Sequence, residues 1–174
     1  MSDPKEKKQT VDKEKIKQTS KEVVAYYLKE PYVPFGLFIL LSIALNAIIP
    51  LGGLFPGFVQ LYVGLAFLVL AMAIMKWAFK HMRLNGETWS PLHIESRVLI
   101  VFGPYHYTRN PMFLSMTIIY IALFLFLNNL WGLILLFPMI MVLSKYVIAP
   151  REELFREMYG EVYEDYHNKT GRWL

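Results

Sequence analysis

The chain has no cysteine. Disulfides, thiolate nucleophiles and cysteine-based zinc or iron–sulfur sites are therefore excluded. Its four histidines, His81, His93, His106 and His167, have no metal-ligand spacing such as i, i+4 on one helix, so no metal site is expected. A second shortage is more telling. Four long apolar runs, Val33–Ile49, Phe58–Ala78, Met112–Leu127 and Leu130–Val147, contain no Asp, Glu, Arg or His, and their two lysines, Lys76 and Lys145, lie near run ends. Lysine there can extend its ammonium to the membrane surface. Ion and proton pathways carry ionisable groups at membrane depth. Their absence argues against a pump and, less strongly, against a channel. The connectors Pro50–Gly57 and Asn128–Asn129 carry no charge at all.

What is present sorts by position. All 18 Lys/Arg and all 14 Asp/Glu fall in three blocks: before the first run, from Lys76 to Arg109, and from Lys145 to Arg172. Lys/Arg excess marks the cytoplasmic side of a membrane. Each run offers about 24–32 Å of helix, enough to cross a bilayer core. The pattern predicts an all-α, polytopic membrane protein of four transmembrane helices in two hairpins, with both termini cytoplasmic. With 174 residues, 55% of them apolar, the chain is expected to form one membrane domain over 21–174. The net charge of +4 implies attraction to anionic lipid and no nucleic-acid partner.

Residues 1–20 are rich in Lys, Glu, Gln and Thr and lack the apolar content to fold alone, so a disordered tail is expected. This stretch is longer than the basic start of a signal peptide, and the first run is expected to be retained. Lys21–Glu30 places Val23, Val24, Tyr27 and Leu28 at helical spacing, which predicts a short interfacial helix before Pro31 and Pro34. Pro50-Leu-Gly-Gly and Pro56-Gly57 are turn signals that close the first helix pair. The long connector between Lys80 and Asn110 is expected to fold back onto the membrane face through Val98–Phe102. It ends in Arg109-Asn110-Pro111, where Asn is a favoured helix cap and Pro a favoured first residue. From Pro150 a charged amphipathic helix follows. Leu154, Met158, Val162 and Tyr166 lie at i+4 steps, with Phe155, Tyr159 and Tyr163 alongside, and Gly160 is placed to kink or divide it.

A hairpin of the third and fourth helices brings Tyr105–Pro111 beside Arg151–Glu153. Arg109, a helix N-terminus and the carboxylates of Glu152 and Glu153 then surround one small pocket. The N-terminus suits an anion, and the acidic pair an ammonium group or ribose hydroxyls. These residues alone are consistent with a zwitterionic or nucleotide-like ligand at the lipid interface, and equally with a structural Arg–Glu ion pair.

The ordered set Gly103-Pro-Tyr-His-Tyr-Thr-Arg-Asn-Pro-Met-Phe, a helical hairpin, Glu152-Glu153, Tyr159-Gly-Glu-Val-Tyr-Glu-Asp-Tyr166 and the terminal Arg172-Trp173 resembles a known family. It is similar to the isoprenylcysteine carboxyl methyltransferase and phospholipid methyltransferase family of integral membrane enzymes, over about residues 97–174. The resemblance implies an S-adenosylmethionine-dependent methyltransferase acting on a lipid-like or prenylated acceptor that enters from the bilayer. It implies cofactor-binding segments at 97–111 and 150–174. Tyr105, Arg109, Asn110 and Pro111 match the cofactor-side motif, with His106 inside it also a cofactor-binding candidate, Glu152 and Glu153 match the acidic pair, and Tyr163 and Tyr166 the aromatic positions of the closing helix. Arg109 and Glu152 are the candidate catalytic residues. Asn110 stands where the carboxyl methyltransferases usually have His, Ser115 where Gly is usual, and Tyr159 where Phe precedes Gly160.

Two rivals stand beside this reading. A membrane reductase of the sterol-reductase type, similar in its C-terminal architecture, uses NADPH and implies more helices and a larger dinucleotide pocket. A non-enzymatic scaffold or transport protein implies a polar stripe on the third and fourth helices, where Ser115, Thr117 and Ser144 are among the few polar side chains.

Overall fold

A computed structural model describes residues 30–53, 55–86 and 98–174. The Lys-rich tail, nearly all of the expected interfacial helix and the middle of the long connector lie outside these residues. The described residues are helical and contain no strand. Helix α1 spans Tyr32–Ile48, α2 Gly57–Leu84, α3 Pro111–Phe126 and α4 Leu130–Val142. A π-helical turn, Leu143–Ile148, carries α4 into α5 (Ala149–Tyr159), and α6 covers Glu161–Lys169.

Among the described residues, two helices are long and apolar enough to cross a membrane: α2 with 28 residues, and the continuous 30-residue helix Leu130–Tyr159. Helices α1 and α3 are also apolar but shorter. The surface of α2 is the reverse of a soluble helix. Phe58, Tyr62, Val69 and Met72 are all at least 60% exposed. An apolar face of this extent marks contact with another apolar phase.

The helix starts follow the sequence, whereas two ends do not. Helix α2 continues six residues past Ala78, because the polar residues there still keep helical bonds until the Asn85 side chain caps the His81 carbonyl at 2.7 Å. The fourth helix does not stop before Pro150. Proline lacks a backbone donor and crowds the carbonyl four residues back. Here the preceding turn is widened to π geometry, with Ala149 N–H bonding Ser144 O, and the helix runs through. Glu152 is therefore carried on the same rigid helix as the core residues Val147 and Ile148.

Packing between helices also differs from two self-contained hairpins. Helix α2 packs chiefly along α3, and α1 along α4, while α1 and α2 barely meet. The Pro/Gly turn signals between α1 and α2 do not close these two helices into a packed pair. The turn between α3 and α4 is tight as expected. Asn128 adopts a left-handed conformation, and the Asn129 side chain caps α4 by accepting from Gly132 N. Gly132 is required by proximity, since a β-carbon there would fall 1.9 Å from the Phe124 ring.

The core joins three helices: Phe35 of α1, Phe113, Tyr120 and Phe124 of α3, and Met139, Leu143, Val147 and Ile148 of the fourth. Its few polar groups bond one another, as an apolar surrounding demands. Ser42 donates to Phe38 O at 2.6 Å and meets the Tyr120 hydroxyl at 3.3 Å, while Asn129 Nδ2 donates to Ser42 O at 3.2 Å. A smaller cluster of Ala78, Met82, Ile100 and Met112 lies beneath the functional end.

Candidate functional site

Helix α3 begins at Pro111, whose fixed φ suits the first helical position. Asn110 precedes it without capping it. Its side chain instead donates to Arg172 O at 3.1 Å, and its backbone N–H bonds Thr108 Oγ1. The start of α3, the 3₁₀ turn Gly103–His106, the extended segment at Leu99–Ile100 and the first residues of α5 line a cavity of about 100 Å³. Its wall includes Met82, Ile100, Tyr105, Arg109, Asn110, Pro111, Phe113, Arg151, Glu152, Phe155, Tyr163 and Tyr166.

One carboxylate organises this cavity. Arg109 Nη2 lies 3.3 Å from Glu152 Oε1, and both side chains are more than nine-tenths buried. Arg172 Nε donates to Glu152 Oε1 at 3.1 Å and Arg172 Nη2 to Oε2. Such a buried network is stable only while both charges stay paired. Even so, Nε and Nη1 of Arg109 are buried with no hydrogen-bond partner.

The C-terminal residues close the site. Arg109 N–H bonds Gly171 O at 3.0 Å, Thr108 Oγ1 donates to Arg172 O at 3.2 Å, and Thr170 Oγ1 donates to His106 O at 3.4 Å. Trp173 Nε1 reaches Ser144 Oγ at 3.0 Å, anchoring the end of the chain on the fourth helix. Helix α6 contributes Tyr166, whose hydroxyl donates to Tyr105 O at 2.6 Å. Burial pushes the Tyr163 phenol up, the Glu152 charge adds to this, and Arg109 opposes it. Tyr166 is raised further, mainly by burial, again with Arg109 opposing. Both are therefore phenols rather than phenolates at neutral pH.

Of the sequence-derived residues, Tyr105, Arg109, Asn110, Pro111, Glu152, Tyr163 and Tyr166 share this cavity. His106 and Glu153 do not. His106 is exposed with its ring against Tyr107, and Glu153, 63% exposed, pairs with Arg156 at 3.2 Å. Glu152 turns inward to Arg109, and Glu153, about 100° further round the helix, turns outward to Arg156. The aromatic row is also rearranged. Gly160 takes a positive φ of 53° and divides α5 from α6, so the i+4 row is not continuous. Met158 and Val162 face outward, while Phe155 stacks on Tyr163 at 5.7 Å. At the described end of the connector, Ile100 is buried and Leu99 N–H bonds the Tyr159 hydroxyl at 3.1 Å, while Val98, Val101 and Phe102 are exposed. Sequence reasoning missed Arg172 as a member of the site. Its one signal was the terminal Arg172-Trp173 of the family-like pattern.

Long apolar helices with outward apolar faces, joined at one end by a buried polar cavity, define a helical membrane protein with an enclosed site. A comparison with protein families identifies which one. The phospholipid methyltransferase family matches residues 59–162, and the chain belongs to that family, whose members are methyltransferases. The match takes in α2 and both Arg109 and Glu152, and ends just before Tyr163. No significant match was found among curated proteins or among solved structures.

Proposed function

We propose that this chain is an integral membrane S-adenosylmethionine-dependent methyltransferase. It acts on a lipid-like or prenylated acceptor at the cytoplasmic face, crosses the membrane four times and keeps both termini in the cytoplasm. The observation that carries the reading is the buried Arg109–Glu152 pair with two Arg109 nitrogens left without acceptors. The charge blocks of the sequence support the orientation.

The donor set fits the cofactor's amino-acid end. Arg109 and the N-terminus of α3 suit its carboxylate. Glu152 suits its ammonium group or ribose hydroxyls, exchanging an existing arginine contact for the new one. The apolar and aromatic wall of Ile100, Phe155 and Tyr163 suits an adenine-sized ring. Pockets that enclose a whole small molecule measure roughly 300–1,000 Å³. The cavity is smaller, so binding parts the seam between Thr170–Trp173 and Tyr105–Asn110, and closure afterwards expels water.

When bound, the cofactor supplies a sulfonium methyl group that passes to a nucleophile by in-line displacement, with the carbon–sulfur electron pair returning to sulfur. The residues contribute positioning and exclusion of water more than a strong base. For an acceptor carboxylate, Arg109 orients the nucleophile; for an acceptor amine, Glu152 takes the released proton. The acceptor enters from the α2 side in this reading, because Met82 of α2 lines the cavity.

The test is transfer of labelled methyl from S-adenosylmethionine to lipid extracts by the protein in nanodiscs. Label in the organic phase, reduced about 100-fold or more by Glu152→Gln, is expected for a group that handles a proton. No lipid labelling by folded protein across bacterial and eukaryotic extracts would overturn the reading.

A further inference from the structure

Helix α2 contains no Asp or Glu, and its Lys76, Lys80 and Arg83 fall at i, i+4 and i+7 in its last turns. That spacing sets the three cations on one face. All three are exposed, and they line one shallow groove with Ala73, Trp77 and Leu84. The Trp77 indole is held in place at its edge by the rings of Tyr107 and His81, at 6.1 and 6.2 Å. Among the described residues, Arg109, Arg156 and Arg172 each pair with a carboxylate, whereas Lys76, Lys80 and Arg83 pair with none. The acidic residues nearest to them in the chain, Glu87 and Glu95, lie outside the described residues.

Depth narrows what such a face can bind. From Phe58 to Met75 the helix carries no charge, a length of about 27 Å against the roughly 30 Å of a bilayer core. Lys76 then stands at the edge of the core, with Lys80 and Arg83 about 6 and 10 Å further along, across the headgroup layer. Trp77 is of the type that favours this level. The groove continues toward the membrane interior, because Ala73 also lines a second, apolar groove with Tyr62, Ala66 and Val69. Gly64, Ala71, Ala78 and Met82 are the buried side of the helix, so both grooves lie on its outer face. Ala66 and Ala73, two turns apart, leave room between the larger side chains.

We propose that this outer face of α2 is a docking site for an anionic phospholipid of the surrounding bilayer. An acyl chain lies along Ala66 and Ala73, and the headgroup phosphate is held by Lys76, Lys80 and Arg83. Charge decides the occupant. A zwitterionic headgroup brings its own ammonium toward three cations, whereas a headgroup whose phosphate is its sole charge is drawn to them. The docked lipid is separate from the methyl acceptor. Met82, between Lys80 and Arg83 in the chain, turns inward to the cavity while those two line the outer groove. The inference rests on α2 crossing the bilayer and not on the reaction carried out in the cavity.

Because the chain has no cysteine, a single fluorophore can be placed on the groove. The full chain carrying Leu70→Cys, at the groove wall, is labelled with bimane and reconstituted in phosphatidylcholine vesicles. Quenching is then measured as brominated phosphatidylglycerol or brominated phosphatidylcholine is added. Phosphatidylglycerol should quench at concentrations at least about fivefold lower, the effect of a single Lys/Arg contact near an anionic surface. The same label at Leu40→Cys, on the exposed face of α1, should show no such preference. The combined variant Lys76→Gln, Lys80→Gln and Arg83→Gln should erase the preference at Leu70→Cys. Lys80→Gln alone should reduce it, and supplies the reading if the combined variant does not insert. Removing three tail charges instead, through Lys5→Gln, Lys7→Gln and Lys8→Gln, should leave it intact. Equal quenching by the two lipids would overturn the proposal, as it would if Glu87 and Glu95 occupied the face. So would a preference that survives loss of the α2 cations, one lost equally with the tail charges, or one seen equally at Leu40→Cys.

Discussion

The two ends of α3 treat polar groups differently. At the Asn128–Asn129 end, Ser42, Tyr120 and Asn129 bond one another and a helix carbonyl inside an apolar core. Polar atoms without partners in that half, Asn46 Oδ1, Gln60 Oε1 and Thr117 Oγ1, are neutral oxygens dispersed over three helices. At the Pro111 end the unpartnered atoms include Nε and Nη1 of Arg109 and Nε of Arg151, cationic groups that share one cavity, beside Glu30 Oε2 and His167 Nδ1. A neutral oxygen without a partner costs a modest amount and says little about function. A buried cation without one is costly enough that folding alone gives no reason to keep it. The comparison teaches that the net polar deficit, more than the polar content, locates the site.

Variants that strike each end should separate the two roles. The largest effect is expected from Arg109→Ala, which leaves Glu152 buried with less compensation. Breaking one partner of such a pair costs about 3–5 kcal/mol, tempered here by the remaining Arg172 contact. Thermal unfolding in detergent should show a fall of several degrees together with loss of S-adenosylhomocysteine binding. At the opposite end, Gly132→Leu drives a side chain into the Phe124 ring. Overpacking of this kind costs about 1–3 kcal/mol, and cofactor affinity per folded molecule should be unchanged. If Gly132→Leu abolished binding in folded protein, the two ends would not be separable.

Smaller changes sharpen the picture. Tyr166→Phe removes the hydroxyl that holds the Tyr105 carbonyl at 2.6 Å. Loss of about 0.5–1.5 kcal/mol is expected, with a severalfold weaker cofactor affinity because the α6 face is less firmly docked. Unaltered melting and binding would show that this bond does not position the site. Glu153→Gln should have the least effect, within about 0.5 kcal/mol on stability, because Glu153 is exposed and pairs outward with Arg156. A loss of binding comparable to that from the Glu152 variant would place Glu153 in the site after all.

The sequence exposes the apolar helices well because their signal is local. The expected starts at Val33, Phe58, Met112 and Leu130 lie within one residue of the observed ones. Helix ends were harder. The overrun past Ala78 depends on a side-chain cap at Asn85, and the passage through Pro150 on a widened turn, and neither leaves a compositional mark. The pairing of α2 with α3 and α1 with α4 is a tertiary choice that connector chemistry does not encode. Within the site, Arg109 and Glu152 were legible from the motif and the hairpin together. The acidic pair of the motif does not reveal that Glu153 lies outside the cavity wall, because that depends on its outward pairing with Arg156. Arg172 was overlooked because its partner lies 20 residues away and is met only after α6 doubles back at Gly160.

The central claim is that Arg109 and Glu152 form a cofactor pocket, and calorimetric titration with S-adenosylhomocysteine tests it most directly. The account predicts micromolar binding to the purified chain, weakened at least about tenfold, or about 1.4 kcal/mol, by Glu152→Gln. No binding by demonstrably folded wild-type protein, or equal affinity in the Glu152 variant, would contradict it.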